Sequence, residues 1–188
     1  MDDSAYVGRT APEFKLAAAH GGDIGPQDFR GSKHVVLWFS KGLFCPFCRR
    51  NMAQLALRYP ELQALDAEIL QVTHNTVDEA RGYLKHYPMR FPYLCDAERT
   101  AHDRYGVELL QLRLGEFFAS GAAAVTDFVT KGETTPSPMA YFRRYGRKDA
   151  AQAVFILDRD GIVRGEHRLG PSAPLPSASE LISALQKL

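Results

Sequence analysis

The sequence lacks a long apolar run, an excess of either charge, and a large number of cysteines. Its 188 residues include 23 Lys and Arg against 22 Asp and Glu, which gives a formal net charge of +1. Binding to nucleic acid or to an anionic membrane needs a basic surface, so this balance argues against both kinds of partner. No apolar run approaches the roughly 18 residues that a membrane span requires.

The cysteine count and the first residues indicate the compartment. The opening MDDSAYVGRTAPEF is acidic and polar, and it lacks the basic and apolar regions of a secretory signal. The chain has three cysteines, Cys45, Cys48 and Cys95. An odd, low number does not fit the disulfide framework of a secreted protein. We therefore expect a cytoplasmic location.

Strand-like and helix-like segments alternate along most of the chain. Apolar runs rich in β-branched and aromatic residues predict strands, and apolar residues at helical spacing predict helices. The predicted order is strand, helix, strand, helix, strand, helix, then an insertion, a strand hairpin and a last helix. In that order the segments are 34–40, 46–65, 68–74, 76–87, 91–96, 97–107, 108–151, 153–170 and 177–188. This alternation predicts an α/β fold around a central sheet.

Residues from about Glu108 to Ala151 interrupt the alternation and form the predicted insertion in a single domain. The segment is partly helical in pattern and contains a polar loop with two prolines, TKGETTPSPM. An insertion of this length between core elements covers a site or forms a surface loop. Its aromatic residues favour a packed cap, and an interface is the alternative.

The stretch FSKGLFCPFCRRNM places two cysteines where a strand ends and a helix begins. Pro46 suits the first helical turn, and Pro60 predicts a kink or a break further along. A helix N-terminus carries about half a positive charge and unpaired N–H groups, so it favours a thiolate over a thiol. Cys45 is therefore the predicted nucleophile. Cys48, one turn later, is placed to attack a sulfenate or a mixed disulfide on Cys45.

Positive side chains surround the pair in the sequence. Lys41, Arg49 and Arg50 add positive potential near the two thiols, and solvent weakens this contribution wherever the side chains point outward. The same potential would further favour ionisation of Cys45.

Other interpretations of the pair remain open. Structural zinc needs four ligands, and beyond the pair only Cys95 and scattered histidines are available, without a second CxxC spacing. A permanent bridge across so short a loop would constrain little chain entropy, and two buried cysteines could simply pack. Cys95 itself is predicted to be a small core residue. His74 ends a predicted strand; an exposed or capping role is favoured over an acid–base role beside Cys45.

Four stretches of the sequence together resemble the peroxiredoxin-like branch of the thioredoxin superfamily, the AhpC/TSA or redoxin family. They are VGRTAPEFKL, DFRGSKHVVLWFSKGLFCPFCRRNMAQL, FPYLCDAERTAHDRYGV and AVFILDRDGIVR. The resemblance implies a thioredoxin-like fold, with a central mixed sheet flanked by helices and peroxiredoxin-style extensions. It implies reduction of hydroperoxides or disulfides through Cys45 and Cys48, without a metal or organic cofactor. It also implies a thioredoxin- or glutathione-type electron donor, and a possible homodimer.

Two positions depart from the pattern of that family. Peroxiredoxins carry Thr or Ser three residues before the reactive cysteine, and here that residue is Gly42, with Ser40 two residues upstream. They also carry an Arg just before the late strand, and here that residue is Gln152. Basic residues of the insertion could substitute for it, namely Arg143, Arg144, Arg147 or Lys148. The departures favour disulfide exchange without peroxidase activity as one alternative. A redox-inactive binding module with the same fold is the other.

Overall fold

The computed structural model describes residues 6–111, 148–169 and 175–188 of the chain. The strands are β1 (Leu16–Ala18), β2 (Asp23–Ile24), β3 (His34–Phe39), β4 (Ala67–Thr73), β5 (Tyr93–Cys95), β6 (Leu109–Gln111), β7 (Lys148–Ala150), β8 (Gln152–Leu157) and β9 (Val163–Leu169). The α-helices within these ranges are α1 (Pro46–Gln63), α2 (Val77–Leu84), α3 (Thr100–Arg104) and α4 (Ala178–Leu185). Two short 3₁₀ helices lie at Pro26–Phe29 and Gly42–Phe44.

A mixed sheet organises the described part of the molecule. Its strand order is β2-β1-β5-β4-β3-β8-β9, with β3 parallel to β4 and antiparallel to β8. Strand β3 is covered on both faces, which is why its sequence is an almost unbroken apolar run. The predicted α/β fold with a central mixed sheet is confirmed.

Alternate residues of β3 enter two separate cores. Trp38 packs in the core that also contains Met52 of α1 and Leu181 of α4. Phe39 packs in the core on the opposite face, where Tyr105 follows α3. The period of two along a strand separates these neighbours. The chain leaves the carboxyl end of this central strand and reaches the start of α1 at Pro46.

Helix α1 is continuous through Pro60, so the predicted break is wrong. Pro60 lies in the last turn of the helix, and the backbone N–H of Ala64 donates to its carbonyl oxygen at 3.0 Å. A proline so near the end removes one hydrogen bond without interrupting the preceding turns. None of the described helices is both long and apolar enough to cross a membrane.

The predicted hairpin is confirmed, and the helices that follow Thr76 and Ser177 begin with side-chain caps. Strands β8 and β9 pair antiparallel, and Gly161 in their turn has φ +77°. Thr76 and Ser177 each accept the backbone N–H of the glutamate three residues later, in reciprocal capping boxes.

The two ends of the predicted insertion pair with each other. Strands β6 and β7 form a separate antiparallel ladder, with Leu109 opposite Ala150. This pairing brings the chain back beside the sheet just before β8 begins. Residues 112–147, with the predicted aromatic cap, lie outside the described ranges.

A buried histidine–carboxylate pair joins the end of β5 to α3. His102 and Asp96 are at most 1% exposed, and Nδ1–H of His102 donates to Asp96 Oδ2 at 2.7 Å. Burial lowers the pKa of His102 and outweighs the nearby carboxylate. Burial alone would raise the pKa of Asp96, but hydrogen bonds from His102 and Thr100 overcome it and lower that pKa. The pair is therefore a neutral imidazole on an ionised carboxylate near neutral pH.

Acid should destabilise this fold through His102. Its folded pKa lies below the unfolded value of about 6.5, so between the two values the unfolded chain binds more protons and stability falls as pH falls. In His102→Gln, which cannot titrate, the slope of unfolding free energy against pH should be shallower by up to about 1.4 kcal/mol per pH unit. Urea unfolding from pH 7 to 5 measures this slope. His86→Gln, at an exposed position, is the control; equal slopes for wild type and His102→Gln would refute the assignment.

Candidate active site

Cys45 is the N-cap residue of α1. Its backbone is extended, with φ −97° and ψ 113°, and its Sγ accepts the backbone N–H of Cys48 at 3.3 Å. Pro46 occupies the first helical position, as predicted. The side chain of Cys45 is partly exposed. The sulfur thus occupies the place of a capping oxygen at the positive end of the helix dipole, where negative charge is favoured.

Cys48 occupies the opposite environment. Its side chain is fully buried, and its thiol donates to Oε1 of Gln152 at 3.4 Å. Burial raises the pKa of Cys48 well above its usual value, and the hydrogen bond and charge of Cys45 raise it further. The charge and backbone N–H of Lys41 act in the opposite direction without overcoming these effects. Cys48 is therefore the member of the pair that keeps its proton.

Two of the three predicted cations are buried beside the pair. Lys41 is 7% exposed and Arg49 is 6% exposed, whereas Arg50 points to solvent. The backbone N–H of Arg49 donates to the carbonyl oxygen of Cys45 at 3.1 Å. Buried charges are screened less than exposed ones, and the charge of Lys41 acts to lower the pKa of Cys48.

The turn before Cys45 requires glycine at position 42 for two reasons. Gly42 has φ +76°, a conformation that other residues adopt at a cost, and a Cβ there would lie 2.2 Å from Oδ1 of Asn75. The hydroxyl that the family resemblance places at this position is therefore excluded by the local packing. Ser40, two residues upstream, has a buried Oγ that accepts the backbone N–H of Gly42 at 3.3 Å and Nε2–H of Gln71 at 2.9 Å.

Asn75 is a site residue that the sequence did not reveal. It is fully buried, and its Oδ1 accepts the backbone N–H of Leu43 at 3.1 Å and the hydroxyl of Tyr93 at 2.9 Å. Its Nδ2 donates to Glu79 at 3.1 Å. Asn75 thereby ties the turn that precedes Cys45 to β5 and to the start of α2. The one signal in the sequence was its position between a strand end and the Thr76 cap.

The remaining predicted residues lie elsewhere or pack in the core. His74 is 1% exposed, with its ring 6.2 Å from that of His102, so the exposed interpretation is wrong. Cys95 is buried in the core, as predicted, and burial raises its pKa to about 11. All three cysteines are free thiols. Across the residues that the structure describes, no three His, Cys, Asp or Glu side chains converge as metal ligands would.

The proposed substitutes for the family arginine are not placed by the structure. Arg143, Arg144 and Arg147 lie outside the described residues, and the side chain of Lys148 is not described either. Gln152 itself accepts a hydrogen bond from the Cys48 thiol at 3.4 Å.

Comparison with known proteins identifies the family of this chain. The family model of the AhpC/TSA family matches residues 7–166. This chain belongs to the AhpC/TSA family. Among curated relatives, thiol-disulfide oxidoreductase ResA of Bacillus thuringiensis subsp. konkukian is 29% identical over 107 residues, covering 56% of this chain and 61% of ResA. The selenocysteine-containing peroxiredoxin PrxU of Peptoclostridium acidaminophilum is 30% identical over 112 residues, covering 54% of each chain.

Solved structures show the same fold for this AhpC/TSA chain. Peroxidoxin BcpB from Mycobacterium tuberculosis superposes with a TM-score of 0.69 at 16% identity, covering 97% of both chains. The reduced 2-Cys peroxiredoxin of Plasmodium vivax gives a TM-score of 0.69 at 17% identity, covering 96% of this chain and 80% of that one. The chain spans about three fifths of the length of the ResA proteins it matches.

Gly42→Ala should be more damaging than the same change at another left-handed glycine. Gly31→Ala is the matched control, because Gly31 has φ +73° but open space around its Cα. Both variants carry the left-handed penalty of roughly 1–2 kcal/mol, and only Gly42→Ala adds the clash with Asn75. Urea unfolding should therefore show a larger loss of stability for Gly42→Ala.

Adding Asn75→Ala to Gly42→Ala should cost less than the sum of the two single changes, because it removes the clashing atom. Equal losses for the two glycine variants, or strict additivity in the double variant, would contradict this account of the turn.

Proposed function

We propose that this chain is a thiol-dependent oxidoreductase in which Cys45 and Cys48 cycle between dithiol and disulfide while reducing a hydroperoxide or a disulfide. One observation carries the proposal: a partly exposed sulfur accepts a backbone N–H at the first turn of α1, one turn before a buried thiol whose pKa is raised by burial. The first sulfur is accessible and electrostatically favoured as a thiolate. The second sulfur is shielded from solvent, and it lies three residues after the first in the chain.

With a hydroperoxide, the Cys45 thiolate attacks the terminal oxygen and the O–O bond breaks. The alkoxide leaves and takes a proton as an alcohol, and Cys45 becomes a sulfenic acid. The Cys48 sulfur then attacks the Cys45 sulfur, which forms the disulfide, and the hydroxyl group leaves with the Cys48 proton as water. The substrate gains two electrons and the pair loses two.

With a disulfide, the Cys45 thiolate attacks one sulfur of the substrate and displaces the other as a thiolate. Cys48 then attacks the mixed disulfide at Cys45 and displaces the second half of the substrate, which takes the Cys48 proton and leaves as a thiol. A dithiol of the thioredoxin type, or two glutathione thiols, would reduce the Cys45–Cys48 disulfide and complete either cycle.

Disulfide exchange without peroxidase activity is the second candidate, and Gly42 favours it. The turn before Cys45 offers no side-chain hydroxyl at that position and no space for one. The uncharged Gln152 is engaged with Cys48. The names of the relatives point in both directions, since ResA is a thiol-disulfide oxidoreductase and PrxU a peroxiredoxin. A homodimer and a cytoplasmic location remain predictions from the sequence.

Oxidation should remove two thiols from the reduced protein. After treatment with hydrogen peroxide, or separately with oxidised glutathione, Ellman titration in denaturant should count two fewer thiols in wild type and in Cys95→Ser. Cys45→Ser should lose none, because Cys48 and Cys95 are buried and their pKa values are raised. Loss with glutathione disulfide alone would select the second candidate. No loss with either oxidant would overturn the proposal in favour of a redox-inactive module.

Cys45 should also be alkylated at lower pH than an ordinary thiol. Because the helix N-terminus favours the thiolate, the rate of iodoacetamide labelling at Cys45 should reach half its maximum below pH ~8.5, the pKa of free cysteine. Cys48 should stay unlabelled over the same range. Mass spectrometry of the peptide distinguishes the two sites, and a midpoint near that of free cysteine would contradict the electrostatic argument.

A further inference from the structure

The hydrogen bond between Cys48 and Gln152 joins the pair to strand β8, the neighbour of β3 in the sheet. Gln152 is the first residue of β8, separated from Cys48 by 104 positions, and is 4% exposed. Its Oε1 lies 3.4 Å from the Cys48 sulfur. We propose that Gln152 is a positioning residue that holds Cys48 as a thiol and thereby shifts the redox equilibrium of the pair toward the dithiol. This inference rests on the proposed dithiol–disulfide cycle.

The argument begins with what an amide oxygen can bind. A carbonyl oxygen only accepts hydrogen bonds, so it stabilises a sulfur that carries a hydrogen. A thiolate sulfur or a disulfide sulfur has no hydrogen to donate. The contact therefore exists in the reduced protein with Cys48 protonated, and it is lost when Cys48 enters the disulfide.

Loss of the contact also affects Gln152. Both groups are buried, so no solvent replaces the Cys48 hydrogen beside Oε1 when the disulfide forms. A buried carbonyl oxygen without a donor costs free energy, unless the amide turns to present Nε2. The lost bond and the unpaired oxygen act in the same direction, because both disfavour the oxidised state.

The other neighbours of Cys48 act through different atoms. Lys41 favours the thiolate through its charge and its backbone N–H, and Cys45 disfavours it. The charge of Lys41 and the backbone donor do not depend on the side chain at position 152. A change at Gln152 therefore tests the amide acceptor alone, with the remaining electrostatics retained.

The experiment compares wild type with Gln152→Met, which keeps a similar length and lacks the amide. Each protein is equilibrated with mixtures of reduced and oxidised glutathione, and the fraction of Cys45–Cys48 disulfide is measured after acid quenching. In Gln152→Met the equilibrium constant for disulfide formation should rise about twofold to tenfold, the factor that one net hydrogen bond contributes. Gln186→Met, the same substitution at an exposed position, is the control and should match wild type.

A second measurement separates this role from a merely structural one. Gln152→Met should lose more stability to unfolding in its dithiol form than in its disulfide form. A residue that only packs would affect both forms equally. If Gln152→Met does not fold, Gln152→Leu serves in the same two measurements.

The hydrogen bond can also be observed without any redox activity. In a Cys45→Ser/Cys95→Ser background, Cys48 supplies the single S–H stretching band in the infrared spectrum. That band should shift to higher frequency when Gln152→Met is added. An unshifted band together with an unchanged redox equilibrium would overturn the inference. Failure of wild type to form a Cys45–Cys48 disulfide at all would instead overturn the proposed function.

Discussion

The hydrogen bond from the Cys48 backbone N–H to the Cys45 sulfur is the interaction on which the site depends. This bond forms where the carboxyl end of β3 leads through the turn at Gly42 into the start of α1. Pro46 contributes no N–H at the first position, so the donor from Cys48 is one of few at this helix end. The position of β3 in the sheet therefore places the Cys45 sulfur at the N-terminus of α1, the positive end of that helix dipole.

The two thiols differ because their surroundings differ, although they stand three residues apart. Cys45 is partly exposed at the positive end of a helix, whereas Cys48 is sealed in the core with an amide oxygen against its hydrogen. Burial penalises the charged form of a thiol, and a helix N-terminus favours it. Cys45 is thus the accessible candidate nucleophile, and Cys48 is its buried partner.

The two positions that depart from the pattern implied by the family resemblance each have a defined contact. Gly42 takes the place of a hydroxyl residue, and Asn75 occupies the space that a side chain at position 42 would need. The same asparagine holds the following turn through the Leu43 backbone. Gln152, at the position where the family resemblance places an arginine, accepts a hydrogen bond from the buried thiol. At both positions a buried hydrogen-bonding side chain contacts the region of the cysteine pair.

The sequence alone determined the local features: the strand before Cys45, the helix start at Pro46, the capping boxes at Thr76 and Ser177, and the α/β class. Each depends on neighbours within a few residues or on a short period in hydrophobicity. The predicted break at Pro60 was wrong because the effect of a proline on a helix depends on how near the helix end it lies.

The contacts of Asn75 and of Gln152 were decided by tertiary structure alone. The sheet order places β4 and β8 on either side of β3, and that order brings residues far apart in the chain to the same turn. A polar residue's partner cannot be inferred from its own position, because the hydrogen bond depends on which distant strand the packing sets beside it.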